Sequence, residues 1–344
     1  MKNRFFAMAA GAALALLASC NKETEMINPA PEARPDGASV TITLSSGDDA
    51  QTRAFFDATA TAEAWEKSLS SLSVFTFNAS GDLILRRDFT VSELASKSAT
   101  FSLPKSAAGT ECSFYAVANY DASSAKTKSA LTALVEKSAG DYNGTFADVS
   151  TKALRSGGFV MSGSTTKTVG ALNTSTQVGI SLKRTVAKVA LQTTIAPEFS
   201  EKYPGSITIN SVKLSRAASQ SLVVAGEPST GAMSYTHTQT PGTASSKYNS
   251  LFYLYETGTL DAGSRVLLEI NATYDGDGSS STSDDRSDVT YSVELTGKAA
   301  GQILRNGYYR VAANITGLVG QDCQVSVTVA DWETPVTQSV DLGA

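Results

Sequence analysis

Val40-Thr41-Ile42-Thr43-Leu44 alternates apolar and hydroxyl side chains and runs through a polar segment, residues 45–52, into Arg53-Ala54-Phe55-Phe56. A period of two places Val40, Ile42 and Leu44 on one face and Thr41, Thr43 and Ser45 on the other, the pattern of a strand lying on a core. Gly47, Asp48, Asp49 and Gln51 favour an exposed turn, where a protease can reach the backbone. The Arg53-Ala54 bond at its end suits an arginine-specific protease. Cutting there would free a core strand. The far end of the chain carries a similar pattern, with Val336, Val340 and Leu342 on one face of residues 336–342. One strand can therefore stand in for the other.

Upstream, Lys2 and Arg4 precede an apolar run, residues 5–17, that is too short for a membrane span and right for a signal peptide. It ends Leu17-Ala18-Ser19-Cys20, which resembles a bacterial lipobox, so the Cys20 thiol is expected to take a diacylglycerol. An ordinary signal peptide with an incidental cysteine is the lesser alternative. Residues 21–37 mix charges of both signs with Pro29, Pro31 and Pro35, and read as an extended tether. No second apolar run reaches spanning length, so the chain is expected to be lipid-anchored or released.

At 344 residues, 42% hydrophobic, the chain has material for two cores, which excludes a fully disordered protein. A net charge of −5 without a Lys/Arg block argues against nucleic acid as a partner. Downstream of Arg53, a short helical signal at Trp65, Leu69 and Leu72 leads into a hairpin, residues 73–77 and 83–85, about the turn Asn78-Ala79-Ser80-Gly81-Asp82. Residues 100–103 and 113–119 add strands, the second apolar enough to be central. Ser124 reads as the N-cap of a helix through Lys137, with Leu131, Leu134 and Val135 facing inward. Residues 159–163 and 177–182 complete this half. Beyond Lys183-Arg184 only strands and turns are expected, at 186–191, 207–214, 221–225, 251–255, 266–274, 289–295, 308–315 and 325–329, at the spacing of a β-sandwich. Cys112 and Cys323 fall in different halves, and sequence alone does not fix whether they pair.

Catalytic chemistry finds few candidates. His237 is the only histidine and sits in a polar stretch, and there is no nucleophile elbow, phosphate-binding glycine loop or zinc-protease helix. No catalytic residue, metal or cofactor is expected. Asp275, Asp277, Asp284, Asp285 and Asp288 form an oxygen-rich cluster whose preferred reading is a solvated hairpin loop, calcium being the lesser one.

Several of these stretches together resemble one family. Cys20, Arg53, Ser73-Val74-Phe75-Thr76-Phe77, Ala116-Val117-Ala118-Asn119 and Phe159-Val160-Met161-Ser162-Gly163 look like the amino-terminal half of the fimbrillins, the type V pilins. The stretch from Leu182 to Val189, Tyr253-Leu254-Tyr255-Glu256, Leu304-Arg305-Asn306-Gly307-Tyr308-Tyr309 and Val327-Thr328-Val329-Ala330-Asp331-Trp332 are similar to its carboxy-terminal landmarks.

The resemblance implies a structural subunit of a cell-surface fimbria: an outer-membrane lipoprotein precursor, cleaved after Arg53 by an arginine-specific surface protease, and polymerised with other pilin subunits by strand exchange. Residues 336–342 would be the donor strand, and residues 38–53 the removable strand and loop. The fold class expected is mainly β, with two domains: an amino-terminal β-rich domain with one or two helices (38–182), and a carboxy-terminal β-sandwich of transthyretin-like, Greek-key type (183–344). Both a cleavable strand and a carboxy-terminal donor point to a stalk subunit, with a tip or anchor role as the variant reading. The rival class is a lipid-anchored glycan-binding protein, which would display exposed aromatics where Trp65 and Trp332 here read as core.

Overall fold

From Ser175 to Arg184 every second side chain is buried and every other one exposed, so a sequence of plain alternation has become one long strand lying over a core. The computed structural model describes residues 37–46, 64–137, 143, 158–228, 235–242, 247–279, 281–297, 300–318 and 328–331. Its strands in chain order are β1 (Ala38–Ser46), β2 (Leu72–Phe77), β3 (Leu83–Asp88), β4 (Ser98–Leu103), β5 (Glu111–Ala118), β6 (Val135–Glu136), β7 (Met161–Thr168), β8 (Ser175–Arg184) and β9 (Val186–Ile195). They continue as β10 (Ser206–Ala217), β11 (Ser221–Leu222), β12 (Tyr235–Gln239), β13 (Lys247–Tyr255), β14 (Leu267–Asp275), β15 (Arg286–Glu294), β16 (Gly307–Ile315) and β17 (Thr328–Asp331). Three short helices, α1 (Val91–Ser96), α2 (Lys128–Thr132) and α3 (Pro197–Lys202), punctuate a chain that is mainly β.

The first half forms a seven-stranded sheet in the order β3-β2-β5-β7-β8-β1-β4. Among the described residues, the ladder between its two arms is short: Met161 and Ser162 of β7 pair with Arg184 and Lys183 of β8. Past that joint the strands cross closely: a Cβ on Gly163 would stand 2.1 Å from the Ser181 carbonyl oxygen, so no larger residue fits. Val40, Ile42, Phe101, Val178 and Ile180 from one arm share a core with Val74, Phe114 and Ala116 from the other, so the sheet folds over on itself. The opposite face of β2 and β5 is covered too: Phe75, Phe77 and Val117 pack with Leu131 of α2 and with Val223 and Val224.

The second half consists of two four-stranded sheets, β12-β10-β14-β15 and β13-β9-β16-β17. Side chains from both, among them Val189, Phe252 and Val311 on one side and Leu214, Leu268 and Val293 on the other, form a single core, which makes this a sandwich. Neighbouring strands run antiparallel except β9 and β16, which are parallel.

Three sequence expectations give way. The helix expected from Ser124 to Lys137 shrinks to α2, capped by Thr127, whose hydroxyl accepts from the Ala130 amide at 3.1 Å. Val135 does not join it, because Val135 and Glu136 pair with Leu222 and Ser221 as a small two-stranded sheet. The helical signal at 65–72 is a 3-10 turn, Ala64–Lys67, while Leu72 opens β2. Strand and turn alone do not describe the second half: α3 begins on Pro197 and buries Phe199. Cys112 keeps a free, buried thiol.

Candidate functional site: the seat of β1 and the polar seam behind it

β1 lies inside the sheet, antiparallel to β4 from Ala38↔Leu103 to Thr43↔Ser98, and parallel to β8 from Ser39↔Ser175 to Ser46↔Leu182. Ala38, Val40 and Ile42 are fully buried and Leu44 is nearly so, against Phe101 and Leu103 on one flank and Val178, Ile180 and Leu182 on the other. Burying Val40, Ile42 and Leu44 is worth roughly 1.5–3 kcal/mol each. The outward face is polar, with the Thr41 and Thr100 hydroxyls 2.9 Å apart. Among the described residues β1 is also the only ladder partner of β4, the last strand of the sheet on that side. In sequence, residues 47–63 join β1 to Ala64, and this link carries Arg53.

At Ala64–Lys67 the chain is fixed into a buried polar seam between the first sheet and the sandwich. The Glu66 carboxylate, fully buried, accepts from the Tyr253 hydroxyl at 2.7 Å and lies 2.9 Å from Lys188 Nζ. Its backbone carbonyl accepts from Arg184 Nε at 2.8 Å, and Arg184 Nη1 donates to Asn306 Oδ1 at 2.8 Å. Trp65 packs on Phe159 and Tyr253, ring centroids 5.6 and 6.0 Å away. Farther along, Arg305 Nε donates to both Glu256 oxygens at 3.1 Å, and Arg305 Nη2 to the Leu222 carbonyl at 2.8 Å. Buried pairs of this kind fix one arrangement more than they add stability, since desolvation offsets much of the attraction.

Asn119 supports the same turn. Its backbone is left-handed at φ 58°, which asparagine tolerates better than most residues, and this ends β5. Its side-chain oxygen accepts from the Ser70 amide at 2.8 Å, while its nitrogen donates to the carbonyls of Ser68 and Phe159 at 2.8 and 2.7 Å.

The structure therefore places Val40, Ile42 and Leu44 together in one groove. Cys20, Arg53, Ala54, Val336, Val340 and Leu342 lie outside the described residues, as do Cys323 and Trp332. His237, on β12, is buried against Phe252, and burial pushes its imidazole down to about 3. Its Nε2 is 3.3 Å from Asn143 Nδ2, an amide that also donates to the Tyr253 carbonyl. Of the aspartates, Asp275, Asp277 and Asp285 converge, whereas Asp288 accepts from the Thr273 hydroxyl. Glu66, Asn119 and Arg184 were not singled out as functional from sequence, although Asn119 and Arg184 stand inside stretches that carried the family resemblance.

The family model for the major fimbrial subunit protein (FimA) matches residues 38–250, from the first residue of β1 into β13. The chain belongs to this family. Fimbrial subunits of this kind are structural, non-enzymatic components of cell-surface fimbriae, and they assemble with other subunits. No curated protein sequence is significantly similar to this one. Among solved structures, a candidate cell adhesion protein of Parabacteroides distasonis is 16% identical, with a TM-score of 0.59 over 89% of this chain and 100% of that one. The tip fimbrial protein Mfa3 of Porphyromonas gingivalis is 14% identical, TM-score 0.55, over 86% and 99%. A fimbrilin of the same species is 16% identical, TM-score 0.53, over 82% and 91%. Identities this low speak for a shared fold. In this fimbrial subunit, among the described residues, no helix is long and apolar enough to cross a membrane.

Proposed function

We propose that this fimbrial subunit is exported as an outer-membrane lipoprotein acylated at Cys20, is cut between Arg53 and Ala54 by an arginine-specific surface protease, and polymerises into a stalk by strand exchange. In this reading β1 is the removable strand, and residues 336–342 of a neighbour take its place with Val336, Val340 and Leu342 facing inward. The observation that carries the proposal is the position of β1: it is an interior strand whose apolar face is buried, and the segment of sequence that joins it to Ala64 contains Arg53.

Once β1 leaves, β8 and β4 each present a row of unpaired backbone groups above an apolar floor, a state that captures another strand. Donor and groove are different segments of the chain, so the contact is head-to-tail and propagates as a filament. A glycan-binding role fits less well, because Trp65 is committed to packing on Phe159 and Tyr253.

One mass measurement on the cell-surface forms tests both modifications. A precursor carrying lipid at Cys20, and a fibre subunit that begins at Ala54 without lipid, are expected. A fibre subunit that retains residues 38–53 would overturn the exchange reading.

A further inference from the structure

The inward side chains of β1 sit in seats that differ in size and polarity. On β4, Ala38 lies opposite Leu103, Val40 opposite Phe101 and Ile42 opposite Ala99, so large neighbours narrow the first two seats while the third opens beside a methyl group. On β8, Val40 is paired with Thr176, Ile42 with Val178 and Leu44 with Ile180. The seat of Val40 is therefore the one with a hydroxyl in its wall.

Thr176 is only 7% exposed. Its oxygen accepts from the Gly170 amide at 2.8 Å, which holds the side chain in place, but among the described residues its own hydrogen has no acceptor. Val40 offers none. A buried hydroxyl with an idle donor is costly until an acceptor reaches it, so β1 leaves one polar demand of its groove unmet.

Residues 336–342 carry the matching group. A period of two in Val336-Thr337-Gln338-Ser339-Val340-Asp341-Leu342 puts Gln338 on the same face as Val336, Val340 and Leu342. An amide entering an apolar groove needs a partner as much as Thr176 does. Slips of one residue are ruled out, because they turn Thr337 and Asp341 inward. A slip of two residues one way puts Gln338 in the seat of Ile42, between Ala99 and Val178, where nothing polar meets it. A slip of two the other way forces Gln338 into the seat of Ala38 against Leu103 and gives the seat of Leu44 to Ala344. Run in the reverse direction, the segment brings Gln338 to Thr176 only with Leu342 outside the groove.

We propose that residues 336–342 of a neighbouring copy dock in the direction of β1 and in one register, with Val336, Gln338, Val340 and Leu342 in the seats of Ala38, Val40, Ile42 and Leu44, and the Gln338 amide oxygen accepting from the Thr176 hydroxyl. This rests on the exchange reading above and adds what aligns the incoming strand. Val336 is larger than Ala38, Val340 is smaller than Ile42, and Leu342 matches Leu44, so the seats stay filled. On the outward face Ser339 takes the place of Thr41, opposite Thr100. Thr176 is a positioning residue: it sets where the strand stops sliding.

The test is disulfide trapping in fibres grown from the full chain after processing by an arginine-specific protease. Thr100→Cys combined with Ser339→Cys should link neighbouring subunits into a ladder on non-reducing gels, and Thr100→Cys combined with Thr337→Cys should not. The two readouts separate cleanly, because a two-residue slip moves the strand by about 6.8 Å and a disulfide spans Cα separations of only about 4.4–6.8 Å. Single-cysteine variants set the background from Cys112 and Cys323. Gln338→Leu should remove the preference, so that both pairs link. Thr176→Val should do the same, while Thr176→Ser should keep the single register. Fibres linked through Thr337→Cys in the otherwise unchanged chain, fibres linked through neither pair, or a single register retained in Gln338→Leu would overturn the proposal and leave strand exchange standing. A parent chain that forms no fibres after cleavage would overturn the exchange reading itself, and the register with it.

Discussion

Lys188 Nζ stands 2.9 Å from Glu66 Oε1, with Glu66 fully buried and Lys188 nearly so, and the two residues come from opposite sides of the seam. Lys188→Met strands the carboxylate in a dry site, which should cost about 3–5 kcal/mol. Adding Glu66→Gln should recover much of that loss, because an amide needs no counter-ion there. Denaturant melts of the two single variants and the double variant give the coupling. A strictly additive pair would show that the ion pair does not join the two sides.

Arg53→Ala should leave a folded monomer in which β1 keeps its place between β4 and β8, at least as stable as the processed form. Size-exclusion chromatography after exposure to an arginine-specific protease is the check. Fibres containing residues 38–53 would contradict it.

Val340→Asp should stop polymerisation while leaving the unprocessed monomer folded, since an unpaired carboxylate in the groove costs several kcal/mol. Ser339→Asp, on the outward face, should assemble normally. Electron microscopy of processed protein separates the two. If Val340→Asp unfolds the unprocessed monomer, the tail belongs to its own core.

His237 makes stability depend on pH in a defined window. Its imidazole falls to about 3 in the fold, against about 6.5 in the unfolded chain. Above pH 6.5 both states are neutral and nothing is lost; between about 6.5 and 3 the unfolded chain binds a proton that the folded chain refuses. Stability should fall by about 1.4 kcal/mol per pH unit across that window and level off below it, a total on the order of 5 kcal/mol. His237→Gln should remove this component of the slope. Urea melts at pH 7, 5 and 4 measure it, and identical slopes in the two proteins would refute it.

What could be read from sequence was what has a short period. Alternation located β1, β2, β5 and β8, and turn residues separated the sandwich strands. The helix at 124–137 failed because Val135 answers to Leu222, a partner 87 positions away that no local window contains. α1 went unread: it is six residues long and has no buried apolar side chain to supply a period, and its reciprocal cap between Thr90 and Glu93 is the one signal it carries. α3 had Pro197 at its start and only Phe199 to bury. The seam was illegible for the same reason as Val135: Glu66 meets Tyr253 187 positions later, and a lone glutamate in sequence looks solvated. The convergence of Asp275, Asp277 and Asp285 was half legible, as a crowd of carboxylates that only the fold brings together.

The grip on β1 from both sides has a mechanical meaning. A strand at a sheet margin peels from its neighbour one hydrogen bond at a time, whereas one held between β4 and β8 and pulled along its own length loads both ladders at once, in shear. Forced rupture depends on the height of the barrier to leaving, so a strand in this seat resists tension far longer than its equilibrium affinity suggests. Tensile strength then scales with how many rungs are filled. β1 fills nine positions, and residues 336–342 cover fewer, so a fibre of these subunits should part first at the joints between them and leave each subunit intact.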